Sequence, residues 1–342
     1  MAAHPDGWQH HDGRATEDQW AATAYADRSV ITRVGPYHAD LTDPQDRPHG
    51  SPTSSATLPS LIVRMFQHAR IADGDQLLDV GTGSGYGTAL ATLRLGEDHV
   101  TSIDVDQYLV AAARNRLDEI GLRPGVHALD GTGALPGVYD RIVATVGVRP
   151  VPASWLQALT VGGRLVTTIS GTTLIVTAEK QPDGSAVGRV EWDRAGFMQA
   201  RSDDDSAATL PAGLLDQAQH GAGEAVTVGP YPVVDLQEAW DLASMLDIDA
   251  PGTVSGHVAR DDERTTWLAH PDGSWARATS YGSSPAGAPE RPTKAVGSPG
   301  PGPIPLARTW RAAAAGARVR IRPDGETVLM RGGWHATLRH PA

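Results

Sequence analysis

A glycine-rich turn placed directly after an apolar run is the feature that most constrains how this 342-residue chain can fold. Leu77, Leu78 and Val80 form the run, and glycine follows at every second position from 81 to 85. Glycine tolerates positive φ and lets backbone N–H groups approach a ligand closely. The pattern therefore predicts a buried strand, a ligand-binding loop and a helix, as in nucleotide-binding α/β folds.

The residue after the glycines argues against a dinucleotide-binding fold. That fold needs Gly or Ala where this chain has Tyr86, because a small residue there lets the helix pack on the strand. Instead, Asp79 precedes Gly81 by two positions, and the spacing D-x-G-x-G-x-G resembles the first motif of class I S-adenosylmethionine methyltransferases. The resemblance implies S-adenosyl-L-methionine as cofactor, S-adenosyl-L-homocysteine as product, and a role for Asp79 at the cationic methionine end.

Further carboxylates are predicted to reach the same edge of the sheet. A helix over 86–95 leads to a second strand ending at Asp104, which is 23 positions beyond Gly81 and suits both ribose hydroxyls. A helix over 107–120, a third strand ending at Asp130 and a fourth over 139–148 complete a doubly wound sheet. Asp130 could instead be a turn residue. The predicted cofactor-binding residues are Asp79, Gly81, Thr82, Gly83, Ser84, Gly85, Asp104, Val105, Asp130 and Gly131.

More narrowly, residues 25–201 resemble the protein-L-isoaspartate O-methyltransferase family. The segment Thr57-Leu58-Pro59-Ser60 stands where the family has Ser-x-Pro, ahead of an apolar helix and the glycine loop. The stretches GSGYGTA, DGTGALP, YDRIVATVGVRPVPASWLQALTVGGRLV and GFMQAR follow in the family's order and spacing. Two departures are that Thr57 replaces serine and that HGSPTSSAT replaces the usual glycine-glutamine segment. The pocket is therefore expected to be reshaped.

A hydroxyl at position 57 suits methyl transfer to a carboxylate. A carboxylate with a pKa of about 4 is ionised at neutral pH and needs no general base, so positioning of the reacting oxygen dominates the chemistry. Thr57 is the predicted catalytic residue, with Ser54, Ser55, Thr57 and His49 as the predicted substrate-binding set. The alternatives are that Thr57 only caps the helix whose first turn contains Pro59, and that His49 makes a structural hydrogen bond.

Composition narrows the class of protein. The chain has no cysteine, a net charge of −11, no apolar stretch of 18 residues and no signal-peptide pattern at its start. These features predict a cytoplasmic enzyme that binds neither nucleic acid nor membrane, with a monomer favoured. The thirteen histidines form no H-E-x-x-H pair, so no metal site is expected.

Beyond the catalytic segment the character of the chain changes. The predicted division is an N-terminal arm over 1–24, a methyltransferase domain over 25–201, a polar linker with a short helical piece over 202–223, and a smaller C-terminal α+β domain over 224–342. Pro-Asp-Gly at 182–184, 271–273 and 323–325 predicts three hairpins. A Pro/Gly/Ser-rich stretch over 282–305 predicts a flexible loop. The tryptophans of this region are expected mainly in a core, or alternatively on a peptide-binding face: Trp240, Trp267, Trp275, Trp310 and Trp334.

The C-terminal extension resembles that of homologues that tailor ribosomally made peptides, such as lanthipeptides, lasso peptides and graspetides. The resemblance implies a modified precursor peptide as substrate, whose aspartate is methylated on its side chain. The ester then proceeds to aspartimide or isoaspartate. Three alternatives stay open: a general isoaspartyl repair enzyme, a small-molecule methyltransferase with a closed pocket, and a noncatalytic cofactor-binding scaffold.

Overall fold

The structure, a computed structural model, describes residues 2–4, 7–9, 17–43, 45–200, 210–229, 232–281, 293–298 and 314–338. Its helices are α1 (Glu17–Ala24), α2 (Pro59–Ala69), α3 (Tyr86–Leu95), α4 (Gln107–Glu119), α5 (Ala153–Ala158), α6 (Leu214–His220) and α7 (Trp240–Asp249). Its strands are β1 (Ala2–His4), β2 (Gly7–Gln9), β3 (Val30–Val34), β4 (Tyr37–His38), β5 (Pro52–Ala56), β6 (Leu77–Val80), β7 (Val100–Asp104), β8 (Gly125–Ala128), β9 (Tyr139–Val148), β10 (Leu159–Ile169), β11 (Leu174–Lys180), β12 (Ala186–Arg194), β13 (Ala225–Gly229), β14 (Val254–Arg260), β15 (Glu263–Ala269), β16 (Trp275–Tyr281), β17 (Thr293–Ser298), β18 (Arg318–Ile321), β19 (Thr327–Arg331) and β20 (Trp334–Leu338).

A ten-stranded sheet dominates the molecule, in the order β20-β19-β18-β12-β11-β10-β9-β6-β7-β8. The five strands from β8 to β10 are parallel, whereas the pairs from β10–β11 to β19–β20 are antiparallel. The chain moves outward from β6 through β7 to β8 and then returns to the other side of β6 as β9. This reversal of strand order is where open α/β sheets bind their ligands.

The parallel half matches the elements predicted from the sequence closely. Helix α3 and strand β9 have the predicted bounds, and α4 ends one residue early, with Ile120 as its C-cap. Helix α4 begins where it does because the Asp106 carboxylate accepts hydrogen bonds from the backbone N–H groups of Tyr108 and Leu109. Capping thus fixes the start of α4 immediately after the strand that carries Asp104.

The C-terminal region is divided between two sheets. Strands β13 to β17 form a separate five-stranded antiparallel sheet in the order β13-β17-β16-β15-β14, whereas β18 to β20 extend the ten-stranded sheet. The pairing of Val319 with Gly188 and of Ile321 with Ala186 joins β18 to β12. The last strands therefore share a sheet with the segment predicted to be catalytic, and the boundaries at 24, 201 and 223 remain predictions.

All three hairpins predicted from Pro-Asp-Gly are observed, as β11–β12, β15–β16 and β18–β19. The loop predicted over 282–305 is wrong for 293–298, which form β17. This strand pairs with both β13 and β16, because strand pairing overrides the composition of such a short segment. The remainder of that predicted loop, and 202–209 of the predicted linker, lie outside the described residues. Helix α6 is the helical piece expected in the linker.

The main core crosses both halves of the large sheet. It includes Leu78 and Ile142 from the parallel strands, Val319 and Leu329 from the C-terminal strands, and Met245 from α7. Trp240 and Trp334 pack against this core, while Trp275 and Trp267 belong to a smaller cluster around α6. A mainly core role is therefore confirmed for these four tryptophans, and Trp310 lies outside the described residues. Among the described helices, none combines the length and the hydrophobicity needed to span a bilayer.

Candidate active site

A cavity of about 170 Å³ lies at the carboxyl ends of the parallel strands, at the reversal of strand order. Segments after β6, β7 and β8 form one side, and the loop after β5 faces them. The structure brings nine of the predicted residues to its wall: Ser54, Ser55, Thr57, Gly81, Gly83, Asp104, Val105, Asp130 and Gly131. Residues far apart in the sequence thus share one space.

The glycine loop adopts the backbone conformation that the sequence predicts. Gly81, Gly83 and Gly85 have φ values of +98°, +52° and +87°, which other residues rarely adopt. A Cβ on Gly81 would lie 3.0 Å from atoms of Thr145 and Val146, so the cavity wall has no space for a side chain there. Any residue other than glycine would therefore strain the loop backbone, and at Gly81 its side chain would also press on Thr145 and Val146.

Asp104 connects the second strand to the glycine loop. Its Oδ2 accepts a hydrogen bond from the backbone N–H of Gly83 at 2.9 Å, and its Oδ1 accepts one from Asp106 at 3.0 Å. Each carboxylate oxygen has a second lone pair, so the group can still accept hydrogen bonds from a ligand. Val105, Leu109 and Leu129 line the same cavity and form an apolar surface beside the carboxylate.

Asp130 makes the local turn that was the alternative for it, and it also lines the cavity. Its Oδ1 accepts hydrogen bonds from both the backbone N–H and the hydroxyl of Thr132, at 2.8 and 2.7 Å, which is the local turn considered as the alternative. The residue nevertheless lines the cavity. Beside it, a Cβ on Gly131 would lie 2.9 Å from Val80 Cγ1, and the Gly131 carbonyl accepts a hydrogen bond from Trp155 Nε1 at 2.6 Å. The turn is thus fixed at the cavity edge.

Asp79 lies behind the glycine loop in the interior. Its side chain is buried, and its Oδ2 accepts hydrogen bonds from Thr88 at 2.7 Å and Ser102 at 2.9 Å. Burial raises the pKa of Asp79 to about 6 and the Asp104 charge adds to that rise, while the two hydroxyls oppose it. Asp79 lines a smaller adjoining cavity rather than the main one. The carboxylate is therefore held in the interior, where the loss of its hydration destabilises the ionised form.

Thr57 lies at the junction of the two cavities and lines both. The N-cap of α2 is Leu58, and the Ser60 N–H in the first turn donates to Asp27 Oδ1 at 2.9 Å, so Thr57 does not serve the capping role considered for it. Strand β5 crosses the glycine loop closely, since a Cβ on Gly83 would lie 3.5 Å from the Ser55 carbonyl oxygen. Ser55 and Thr57 thus line the same small cavity as the glycine loop.

Strand β5, which carries Ser54 and Ser55 and leads to Thr57, is connected by hydrogen bonds to the segment around Asp104. Ser54 is buried and its Oγ accepts a hydrogen bond from Thr32 Oγ1 at 2.9 Å, which joins β5 to β3. From β3, the Arg33 guanidinium donates to Asp106 Oδ2 at 2.6 Å. Asp106 is the capping residue that also contacts Asp104. A short chain of contacts therefore fixes the loop around Thr57 relative to Asp104.

Besides Asp79, four predicted residues do not reach the main cavity wall. Thr82 and Ser84 line the smaller cavity beside Asp79, and the Thr82 hydroxyl is 2.6 Å from Ser102 Oγ. Gly85 is buried and is the N-cap of α3. His49 is exposed and lines neither cavity.

Several residues of the main cavity were missed from the sequence. Trp155 is fully buried behind Gly131, and residues 196–200 form a wall opposite the glycine loop. Gln199 pairs with Gly147 through an isolated bridge, which brings this segment to the end of β9. The family-like GFMQAR stretch was a signal for part of this wall, but nothing local in the sequence placed it against the cavity.

The fold is that of class I methyltransferases. The chain is similar to a solved structure titled protein-L-isoaspartate O-methyltransferase, with a TM-score of 0.50 and 16% sequence identity, covering 91% of this chain and 88% of that one. At this level of identity the similarity establishes the fold, and it confirms the predicted doubly wound class.

Sequence comparison shows which family part of the chain resembles. Residues 37–195 match the profile described as Protein-L-isoaspartate(D-aspartate) O-methyltransferase, which confirms the predicted family resemblance over this segment. The protein-L-isoaspartate O-methyltransferase of Thermococcus onnurineus is 33% identical over 132 residues, covering 37% of this chain and 58% of that protein. The enzyme of that name from Ignicoccus hospitalis is 33% identical over 140 residues, covering 39% and 66%. The chain thus spans between 58% and 66% of the length of these relatives.

Proposed function

We propose that this protein transfers a methyl group from S-adenosylmethionine to the carboxylate of an aspartyl or isoaspartyl residue in a protein or peptide. One observation carries the proposal: the Thr57 side of β5 and the Gly81–Asp104 side of the sheet line a single cavity. A carboxylate held by Thr57 would therefore lie beside a ligand held by the glycine loop. The match of residues 37–195 to the family supports the same reaction.

The residues of the cavity fit this cofactor. Gly81 and Gly131 have no space for side chains, so the backbone itself forms the floor. Asp104 would accept the ribose hydroxyls, and Val105, Leu109 and Leu129 would contact a flat apolar ring. Asp79, whose pKa is about 6, is ionised at pH 7.5 and would favour a positive charge at the adjoining cavity. When bound, S-adenosylmethionine supplies an electrophilic methyl group.

The chain's own contribution to the reaction is positioning. The substrate carboxylate is already ionised at neutral pH, so no side chain has to remove a proton from it. The Thr57 hydroxyl would donate a hydrogen bond to one carboxylate oxygen and leave the other directed at the glycine loop. Leu58, Leu61 and Phe197 line the cavity beside it and would exclude water. Holding the reacting oxygen in line replaces a bimolecular encounter by a near-unimolecular step.

The finer proposal is that the substrate is a normal aspartate in a ribosomally made, macrocyclic precursor peptide. The replacement of serine by Thr57 and the altered loop before it support a reshaped substrate pocket. Isoaspartyl repair is the second candidate, and two observations favour it. The relatives carry the isoaspartate name, and the structure of that title aligns with 91% of this chain, so a C-terminal extension does not distinguish the two substrates.

Mass spectrometry of paired peptides tests both levels of the proposal. Linear peptides containing isoaspartate, linear peptides containing aspartate, and a macrocyclic aspartyl peptide are incubated with the enzyme, and a gain of 14 Da marks the methyl ester. Preference for the macrocyclic aspartyl peptide supports precursor tailoring, and preference for linear isoaspartate supports repair. Cofactor binding without methylation of any peptide would support the scaffold alternative and contradict the proposal.

Variants of Thr57 test its role directly. Thr57→Ala should lower turnover by more than about tenfold, with cofactor affinity and melting temperature close to those of the wild type, because Leu58 rather than Thr57 is the helix cap. Thr57→Ser should retain most of the activity. Normal turnover in Thr57→Ala would remove the hydroxyl from the reaction.

A further inference from the structure

A second, wider depression of about 570 Å³ opens directly beside the proposed active site. We call it the arginine groove and define it by Arg64, Thr173, Arg194, Gln237, Trp240 and Ser255. Leu58, Leu61 and Gly196 line both this groove and the main cavity, so the two spaces adjoin along these residues. A chain bound in the groove would therefore lie next to the cavity that Thr57 lines.

The groove is built from both the large sheet and α7. The Thr173 backbone N–H donates to Ser244 Oγ at 3.2 Å, and the Ser244 hydroxyl donates to the Trp240 carbonyl at 2.7 Å. Farther along α7, Arg149 donates to Asp247 Oδ2 and to the Ile248 carbonyl, each at 2.8 Å. The Arg149 side chain is only 3% exposed, so this attachment is buried. Helix α7 is thus a fixed wall of the groove.

The charge of the groove is opposite to that of the whole chain. The chain has a net charge of −11, yet the described residues that line the groove include Arg64 and Arg194 and neither Asp nor Glu. Arg194 lies over the Trp240 ring, with its guanidinium carbon 6.0 Å from the ring centroid. Arg64 lies 3.4 Å from Asp193, and its side chain is still 44% exposed. Both guanidinium groups are available to solvent, and a guanidinium group matches a carboxylate in shape and charge.

We propose that the arginine groove binds an acidic stretch of the substrate polypeptide next to the residue that is methylated. The inference rests on the proposed function, because the groove adjoins the cavity lined by the hydroxyl that would hold the reacting carboxylate. The hydroxyl and amide groups of Thr173, Gln237 and Ser255 supply hydrogen bonds suited to an extended peptide backbone. Substrate choice would then depend on charge beside the reacting residue as well as on the residue itself.

Matched peptides test the charge preference. Each peptide carries one methylatable residue, flanked by three Glu, three Gln or three Lys residues. The methylatable residue is aspartate or isoaspartate, whichever the enzyme methylates faster in the mass-spectrometry assay. The wild-type enzyme should show a kcat/KM for the Glu peptide at least about fivefold above that for the Gln peptide at low salt, and the difference should shrink in high salt. Equal kcat/KM values for the Glu and Gln peptides would overturn the proposal.

Variants locate the preference in the groove. In the double variant Arg64→Gln with Arg194→Gln, kcat/KM for the Glu peptide should fall to within about twofold of that for the Gln peptide. Arg94→Gln is the matched control, since Arg94 is also an exposed arginine near an aspartate, Asp73, but lies outside the groove. A Glu preference that survives in the double variant would also overturn the proposal.

A binding measurement separates failure of the groove from failure of the proposed reaction. Fluorescence anisotropy follows dye-labelled peptides in which alanine replaces the reacting residue, so that no methylation is required. Tighter binding of the Glu peptide that is lost in the double variant would support the groove even if no peptide were methylated. Methylation with no preference among the three flanks, and equal binding of the labelled peptides, would retain the reaction and reject the groove.

Discussion

The two halves of the ten-stranded sheet are built on different principles. All four residues of β6 in the parallel half are buried, whereas β18 in the antiparallel half alternates between exposed and buried positions. Helices and loops cover both faces of parallel sheets, but an antiparallel sheet can leave one face to solvent. The strand ends that line the candidate active site belong to the parallel half, and the antiparallel half contributes core residues and contacts α7.

The comparison teaches that the C-terminal strands are structurally part of the proposed catalytic unit. They are joined through β12, whose Gly188 pairs with Val319 of β18 on one edge and with Ala178 of β11 on the other. Substrate selection by the C-terminal region, through α7, therefore does not require an independently folded module.

The strongest way to break this comparison is to remove the C-terminal strands. A chain ending at Ala200 would lose Val319, Ile321, Leu329 and Leu338, all buried in the main core, each worth roughly 1.5–3 kcal/mol. It would also expose the edge of β12 that pairs with β18, which favours aggregation. We expect loss of cooperative unfolding or of solubility, measured by circular dichroism melting and size-exclusion chromatography. A soluble fragment that melts cooperatively would mean that the parallel half folds alone.

The second prediction concerns the free energy lost by burying the Asp79 carboxylate in the parallel half. The pKa of Asp79 is raised from 3.8 to about 6 by folding. Between pH 3.8 and pH 6, this carboxyl group is therefore protonated in the folded state and ionised in the unfolded state. Stability attributable to this group is therefore greatest below 3.8, falls as pH rises, and is lower by about 3 kcal/mol above pH 6. Asp79→Asn should raise the free energy of unfolding at pH 7.5 by up to this amount and flatten its pH dependence.

Urea unfolding at several pH values between 4 and 8 measures the effect of Asp79→Asn. The control is Asp118→Asn, which changes a carboxylate whose side chain is 62% exposed. Retention of the wild-type slope in Asp79→Asn would show that another group carries the pH dependence. The same variant should weaken binding of S-adenosylmethionine, because the removed charge faces the cavity proposed for its cationic end.

The parallel half of the ten-stranded sheet was also easier to predict from the sequence than the antiparallel half. The glycine loop, Asp104 and the bounds of α3 and β9 follow from local signals, namely turn residues, strand hydrophobicity and helical period. The pairing of β12 with β18 joins residues more than a hundred positions apart and leaves no local signal. Likewise, Trp155 and Gln199 reach the cavity only through tertiary packing.

The five-stranded sheet shows a second limit of sequence reasoning. Strands β14 and β15 form a hairpin whose connection includes Asp261 at a φ of +45°, with neither glycine nor proline at the turn. A positive φ in a residue other than glycine is uncommon, so the usual turn signal was missing. The interaction of Arg33 with Asp106 was equally invisible, since the two residues are 73 positions apart in the sequence.

The third prediction sharpens the role of the parallel half in binding. Asp104→Ala should weaken S-adenosylhomocysteine binding by about 1.5–3 kcal/mol, because the ribose hydroxyls would lose a charged acceptor. The Gly83 N–H would lose its partner as well, so the loop itself would be less ordered. Titration calorimetry measures the change, with Asp140→Ala near the start of β9 as an aspartate control outside the cavity. Unchanged affinity in a folded Asp104→Ala protein would remove this carboxylate from the site.

The smallest expected effect gives the sharpest test of whether the two halves unfold together. Ile142 in β9 and Ile321 in β18 are both fully buried in the main core, so Ile→Val removes the same methylene group in each half. Each substitution should lower the free energy of unfolding by about 0.5–1.5 kcal/mol. If the sheet is one cooperative unit, both variants shift the same transition in urea with an unchanged m-value, whether it is followed by tryptophan fluorescence or by circular dichroism. If Ile321→Val shifts only one of two separable transitions, the C-terminal strands unfold on their own, and the shared core does not couple them to the site.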